Sequence, residues 1–129
     1  MLKMKKLFGV ALISLFVLGG CSQEKEEAPE LIEVKFKTIP ETIKVNKEVE
    51  LVATVTQGTE KVEDADEVTF EIWKEGQTKD QHKKIEAKHA KNGEYKATYV
   101  FKETGKYYVI SHTTARGMHN MPKNEVIVK

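Results

Sequence analysis

Glu103-Thr104-Gly105-Lys106-Tyr107-Tyr108-Val109-Ile110-Ser111-His112-Thr113-Thr114 is the stretch that decides the fold. It opens with an acid, a small residue and a tyrosine at the spacing of a tyrosine corner, where a phenol at the start of a strand bonds back to nearby backbone. Thr104-Gly105 marks a turn. Strand side chains alternate, so a Tyr107 that faces inward takes Val109 and Ser111 inward with it. Tyr108, Ile110 and His112 then face outward.

Working upstream, the same period of two recurs. Ile32, Val34 and Phe36 alternate with Glu33, Lys35 and Lys37, and Val49, Leu51, Ala53 and Val55 form a second run. Val68, Phe70 and Ile72 lead into Trp73, and Ile85 with Ala87 makes a shorter run. Asn92-Gly93 is a hairpin-turn signal before Tyr95, Ala97, Tyr99 and Phe101, and the last strand is Glu125 to Lys129. Pro40 falls between the first two strands, where its missing N–H does no harm. This spacing, with no amphipathic helix after residue 31, predicts an all-β, immunoglobulin-like β-sandwich of about seven strands. Trp73, on the third strand, stands where such sandwiches often carry a core tryptophan. The chain has one cysteine, so no disulfide bridges the sheets, and an antibody-type domain is excluded.

The front of the chain has a different logic. Lys3, Lys5 and Lys6 precede an apolar run from Leu7 to Leu18, too short for a comfortable bilayer span and laid out as a secretory signal peptide. Leu18-Gly19-Gly20-Cys21 matches the lipobox of bacterial lipoproteins. That match implies a leader over residues 1–20 and lipidation at Cys21, with diacylglycerol and palmitate-type acyl chains. Each buried methylene adds ~0.8 kcal/mol, so two or more chains hold a protein firmly on a bilayer. Residues 21–30 are charged, contain Pro29 and read as a flexible stalk. The expected domain is 31–129, on the extracytoplasmic face of the cell membrane.

Removing the leader's three lysines from 21 basic residues leaves 18 against 20 acidic, a net charge of −2. No basic surplus is present to condense on nucleic acid. With Cys21 lipidated no thiol remains, so thiolate metal sites and cysteine nucleophiles drop out. Serine-nucleophile, HExxH and Gly-rich phosphate motifs are all missing, and Ser111 and His112 point to opposite faces. No enzyme is expected. The acidic stretch Val62 to Glu67 lacks the EF-hand spacing for calcium and reads as a solvated turn. His82, in the polar run Lys79-Asp80-Gln81-His82-Lys83-Lys84, is expected at the surface.

Chemistry gathers near the C-terminus. Ala115 to Pro122 is expected to connect the last two strands, and it carries Met118, His119 and Met121 just after His112. A methionine in a loop exposes apolar surface without packing gain. Thioether sulfur is soft and suits Cu(I) rather than zinc, magnesium or calcium, and imidazole completes copper sites readily. His112, Met118, His119 and Met121 are therefore the candidate ligands at one end of the sandwich, with His89 a possible addition. The packing alternative has Met118 or Met121 plugging the core and His119 solvated. A rival from another class is a docking module that binds an envelope protein through Tyr108 and Ile110.

Asp66-Glu67-Val68-Thr69-Phe70-Glu71-Ile72-Trp73, Asn92-Gly93-Glu94-Tyr95, Gly105-Lys106-Tyr107-Tyr108-Val109 and Met118-His119-Asn120-Met121-Pro122 resemble the YtkA-like domain, which is related to the FixH-like group. The resemblance implies a small sandwich borne by bacterial lipoproteins, with a loose association with copper supply and respiratory oxidase assembly. The function expected from residues and resemblance together is a lipid-anchored Cu(I) carrier or chaperone that hands copper to an envelope protein.

Overall fold

The computed structural model describes residues 30–129. The leader, Cys21 and the stalk through Pro29 lie outside the described residues. Ten strands are present among the described residues: β1 Ile32–Ile39, β2 Glu48–Gln57, β3 Glu60–Lys61, β4 Glu67–Lys74, β5 Lys83–Glu86, β6 Lys88–His89, β7 Glu94–Val100, β8 Gly105–Ala115, β9 Met118–Asn120 and β10 Lys123–Val128. Seven of them are the strands that the alternation predicts. The other three (β3, β6 and β9) are two or three residues long and extend hairpins. The helical structure among the described residues is one 3-10 turn at Lys79–Gln81, and none of it is long and apolar enough to cross a membrane.

Two antiparallel five-stranded sheets face each other. One runs β1-β2-β7-β6 with β3 on β2, and the other runs β10-β8-β4-β5 with β9 on β8. Their inner faces supply the core, in which Leu51, Val55, Phe70, Ile72, Phe101 and Val109 are almost wholly buried. Burying each such side chain contributes about 1.5–3 kcal/mol. The molecule is a β-sandwich, as the period-two pattern predicts. The corner forms too: the Tyr107 hydroxyl donates to the Glu103 carbonyl at 2.8 Å, and the ring meets Phe101 edge-on at 4.7 Å. Tyr107, Val109 and Ser111 are buried, and Tyr108, Ile110 and His112 occupy the outer face.

Two expectations are corrected here. Trp73 is not in the core, because it shares a strand with Val68, Phe70 and Ile72, which face inward; its odd position turns it outward with Thr69 and Glu71. The segment Ala115–Pro122 is not an open loop. Arg116 (φ 53°) and Gly117 (φ 74°) form a two-residue turn, both left-handed, which suits the strand twist and folds β9 back on β8. Met121-Pro122 then separates β9 from β10, and both of those strands pair with β8. Pro122 has no N–H to continue the ladder, while its carbonyl accepts from Ser111 N–H at 3.1 Å.

Candidate metal site on the outer sheet face

The β8–β9 pairing sets the site. Thr114 lies opposite His119, so His119 and Thr114 share the outer face with His112, and Met121 continues that parity. His112, His119 and Met121 line one cleft of about 270 Å³, together with Glu67, Thr69, Lys84 and Thr114. The thioether of Met121 is accessible, since this residue is 59% exposed. The site lies on the face of a sheet rather than at the end of the sandwich.

Met118 does not join the cleft. It pairs with Ala115, faces inward and packs against the core, so for this residue the packing alternative holds. The same parity sends Asn120 inward, where its amide donates to the Ile32 carbonyl at 2.9 Å and ties β9 to β1. His89 also falls elsewhere. It lies on β6 in the opposite sheet, with Nε2 2.7 Å from Glu63 Oε1 and its ring against Tyr95. The acidic stretch is partnered by the protein's own groups: Glu63 by His89 and Gly93 N–H, Asp64 by Arg116. The imidazole of His89 beside it, with the Gly93 amide, holds the Glu63 carboxyl below the ordinary carboxylate range.

His82, expected at the surface, is instead a member of the site's surroundings. Its side chain is only 12% exposed. The ring stacks on Trp73, centroids 4.1 Å apart and planes 5° from parallel, and Nδ1 lies 2.6 Å from Glu71 Oε2. The other Glu71 oxygen, Oε1, lies 2.6 Å from His112 Nε2. Glu71 is thus an outward-facing carboxylate that is only 6% exposed, capped by two imidazoles. Hydrogen bonding to His82 lowers its pKa first, burial opposes this, and His112 lowers it further; the net direction is down. An ionised carboxylate only accepts hydrogen bonds, so both facing nitrogens donate. His82 therefore carries its proton on Nδ1 and His112 on Nε2. In a neutral His112 so oriented, the lone pair is on Nδ1.

His119 is anchored more lightly, with Nδ1 3.0 Å from the Thr114 hydroxyl. Among the described residues, no group of three or more His, Cys, Asp or Glu side chains is arranged to hold a metal ion. Two imidazoles and one thioether share the cleft, a set soft enough for Cu(I), beside a single carboxylate, Glu67, where magnesium or calcium would need several oxygen donors.

Sequence reading missed Glu71, His82 and Trp73 as parts of this region. The parity of β4 carried a usable sign: Val68, Phe70 and Ile72 inward put Glu71 and Trp73 on the outer face. For His82 no local sign existed, because its burial comes from β5 pairing with β4.

A two-sheet antiparallel sandwich with imidazole and thioether groups on one outer face defines the class of this small β-domain. Compared with protein-family models, the chain matches YtkA-like over residues 26–112, about two thirds of its length. It belongs to the YtkA-like family. The matched span includes Glu71, Trp73, His82 and His112 and stops before Met118, His119 and Met121. No curated protein matches the chain.

Proposed function

We propose that this protein is an extracytoplasmic lipoprotein, anchored through Cys21, that binds Cu(I) at the cleft formed by His112, His119 and Met121 and serves as a copper carrier or chaperone for an envelope protein. The observation that carries the reading is the sharing of one outward cleft by two imidazoles and an accessible thioether. Supporting it, each imidazole has one nitrogen engaged by a protein group, Glu71 for His112 and Thr114 for His119. Metal-binding histidines characteristically have their second nitrogen held in this way. In the His119 tautomer that donates Nδ1–H to Thr114, Nε2 is left free to bind. A bound Cu(I) would be held by soft donors without a thiol, which suits a compartment where thiols oxidise.

The test is competition against a Cu(I) chelator under reducing conditions, comparing two methionine variants. Met121→Leu deletes a cleft sulfur and should lower affinity by about tenfold or more, roughly 1.4 kcal/mol. Met118→Leu deletes a core-facing sulfur at similar volume and should leave Cu(I) affinity unchanged. Equal effects from both substitutions would count against the cleft. A wild type that cannot compete at all would sink the copper reading.

One observation favours the docking alternative. Trp73 and Tyr108 lie 5.5 Å apart on the same outer face, and Lys123 Nζ sits 4.9 Å from the Tyr108 ring centroid. With Ile110 between the cleft and this row, the face has aromatic area of the kind that anchors protein partners. A partner recovered from solubilised membranes, lost on Tyr108→Ala plus Ile110→Ala and indifferent to chelators, would make docking the better account.

A further inference from the structure

Glu71 is the most costly side chain on the outer face, and copper binding by itself gives no reason for it. Its neighbours in β4 on that face, Glu67 and Thr69, are exposed or half-buried, whereas Glu71 is almost fully covered. A carboxylate taken out of water must be matched at both oxygens. Both are matched here, each at 2.6 Å, the short end for charge-assisted bonds, and both by imidazole.

The two imidazoles are not equivalent. His112 is on β8, across the ladder from Thr69, and its ring also lines the cleft. His82 precedes β5 and does not line the cleft; its ring lies flat on Trp73. Trp73 in turn is paired with Tyr108 in the β4–β8 register. His82 is therefore held in plane by stacking and by the 3-10 turn that it caps, where its N–H donates to the Lys79 carbonyl at 3.1 Å, and it presents Nδ1–H to the carboxylate from a fixed position.

Resting on the copper reading above, we propose that Glu71 is the positioning residue of the cleft: clamped by His82 on one side, it holds His112 by Nε2–H and so leaves Nδ1 as the metal-binding nitrogen. His82 and Trp73 form the brace that keeps the carboxylate from rotating away. Without the brace Glu71 could turn to solvent, and His112 would be free to flip about χ2. Gln can keep both contacts only by changing the tautomer of His82: its carbonyl oxygen accepts from His112 Nε2–H while its NH₂ donates to His82 Nδ1, which must then be unprotonated, so Glu71→Ala is the substitution that removes the hold on His112.

The experiment uses the full-length protein in detergent with two readouts. The first is the tautomer state of the histidines in the metal-free protein, from long-range ¹H–¹⁵N spectra. Imidazole in water prefers the Nε2–H form, so His82 held as Nδ1–H is a signature that only the Glu71 bond produces. His82 should appear as Nδ1–H and His112 as Nε2–H in wild type, and His82 should revert to mainly Nε2–H in Glu71→Ala. The second readout is Cu(I) affinity by chelator competition, where Glu71→Ala should lose about 10- to 100-fold, as outer-shell substitutions do, and Glu71→Gln, which keeps an acceptor for His112 Nε2–H, should lose less. His82→Phe keeps a ring on Trp73 and removes the N–H, so it should lose affinity in the same direction with the fold intact.

If wild type binds Cu(I) and Glu71→Ala binds it within about twofold, the positioning role is refuted while the copper reading stands. If His82 is Nε2–H in wild type, the clamp does not exist in solution and the proposal fails. If wild type holds no Cu(I), the copper reading and the metal-positioning role fall together, which is a different result from either of these.

Discussion

Replacing Ser111 by alanine should make this protein more stable. Ser111 is fully buried on the inner face of β8, directly across the ladder from Phe70, and its hydroxyl finds no hydrogen-bond partner among the described residues. A desolvated hydroxyl without a partner costs about 1–3 kcal/mol. Deleting it leaves a void of about 10 Å³, which at ~24 cal/mol per Å³ costs about 0.2 kcal/mol. The main-chain bond from Ser111 N–H to the Pro122 carbonyl is unaffected. The net gain is about 1–3 kcal/mol. In a domain of this size each kcal/mol moves Tm by about 4–8 °C, so Ser111→Ala should melt at least about 4 °C higher than wild type. Urea unfolding should show a higher midpoint with an unchanged slope, the mark of altered stability rather than altered compactness. A variant less stable than wild type by more than about 0.5 kcal/mol would refute the reasoning, because the hydroxyl would then have to be bonded in solution.

Two turn glycines should differ sharply. Gly117 (φ 74°) has open space around an added Cβ, so Gly117→Ala should cost only the left-handed strain of about 1–2 kcal/mol, whereas at Gly93 (φ 73°) the Cβ would sit 2.8 Å from the Val55 carbonyl oxygen and Gly93→Ala should cost about 3 kcal/mol or more in chemical denaturation. Equal costs would show that the Asn92-Gly93 turn yields easily. Tyr95 supplies a pH prediction: its hydroxyl donates to the Val62 carbonyl and accepts from Ala65 N–H, and burial pushes its pKa above the ordinary tyrosine value. A raised folded pKa stabilises the fold fully below the unfolded value of about 10, and that contribution is lost as pH rises through the folded pKa. Melting curves between about pH 8 and 11 should therefore fall more steeply for wild type than for Tyr95→Phe; parallel slopes would exclude Tyr95 as the alkaline-sensitive group.

The fold was legible wherever a local rule sufficed. Tyr107 and the parity after it placed Val109 and Ser111 inside and Tyr108 and His112 outside, and the seven longer strands follow the alternation. The misses have physical causes. Trp73 was assigned by analogy with other sandwiches, although the parity of Val68, Phe70 and Ile72 already turned it outward. Met118 was grouped with Met121 because a loop has no parity; Arg116-Gly117 closes a tight turn instead, and three residues of strand put Met118 and Met121 on opposite faces. Glu71 looked like an ordinary solvent-facing acid in an alternating strand. Its burial depends on a histidine eleven positions later and another on β8, and no local pattern encodes such a non-local arrangement.

The border formed by β9 and β10 has a consequence for self-association. A sheet edge with unpaired N–H and C=O groups is a template on which another copy can polymerise. Along this flank of β8 the chain provides β9, three residues long, then a proline, then β10 with Lys123 and Glu125. A foreign strand laid against that border meets the charged side chains of Lys123 and Glu125, while the missing N–H of Pro122 is on the β8 side with its carbonyl. The opposite border of this sheet is β5, four residues long, which offers little length for templating; the other sheet is bordered by β6, two residues, and by β1, eight residues. The charges on the strand that follows the cleft therefore work against fibre formation along this border of a β-rich domain that has no disulfide to restrain it.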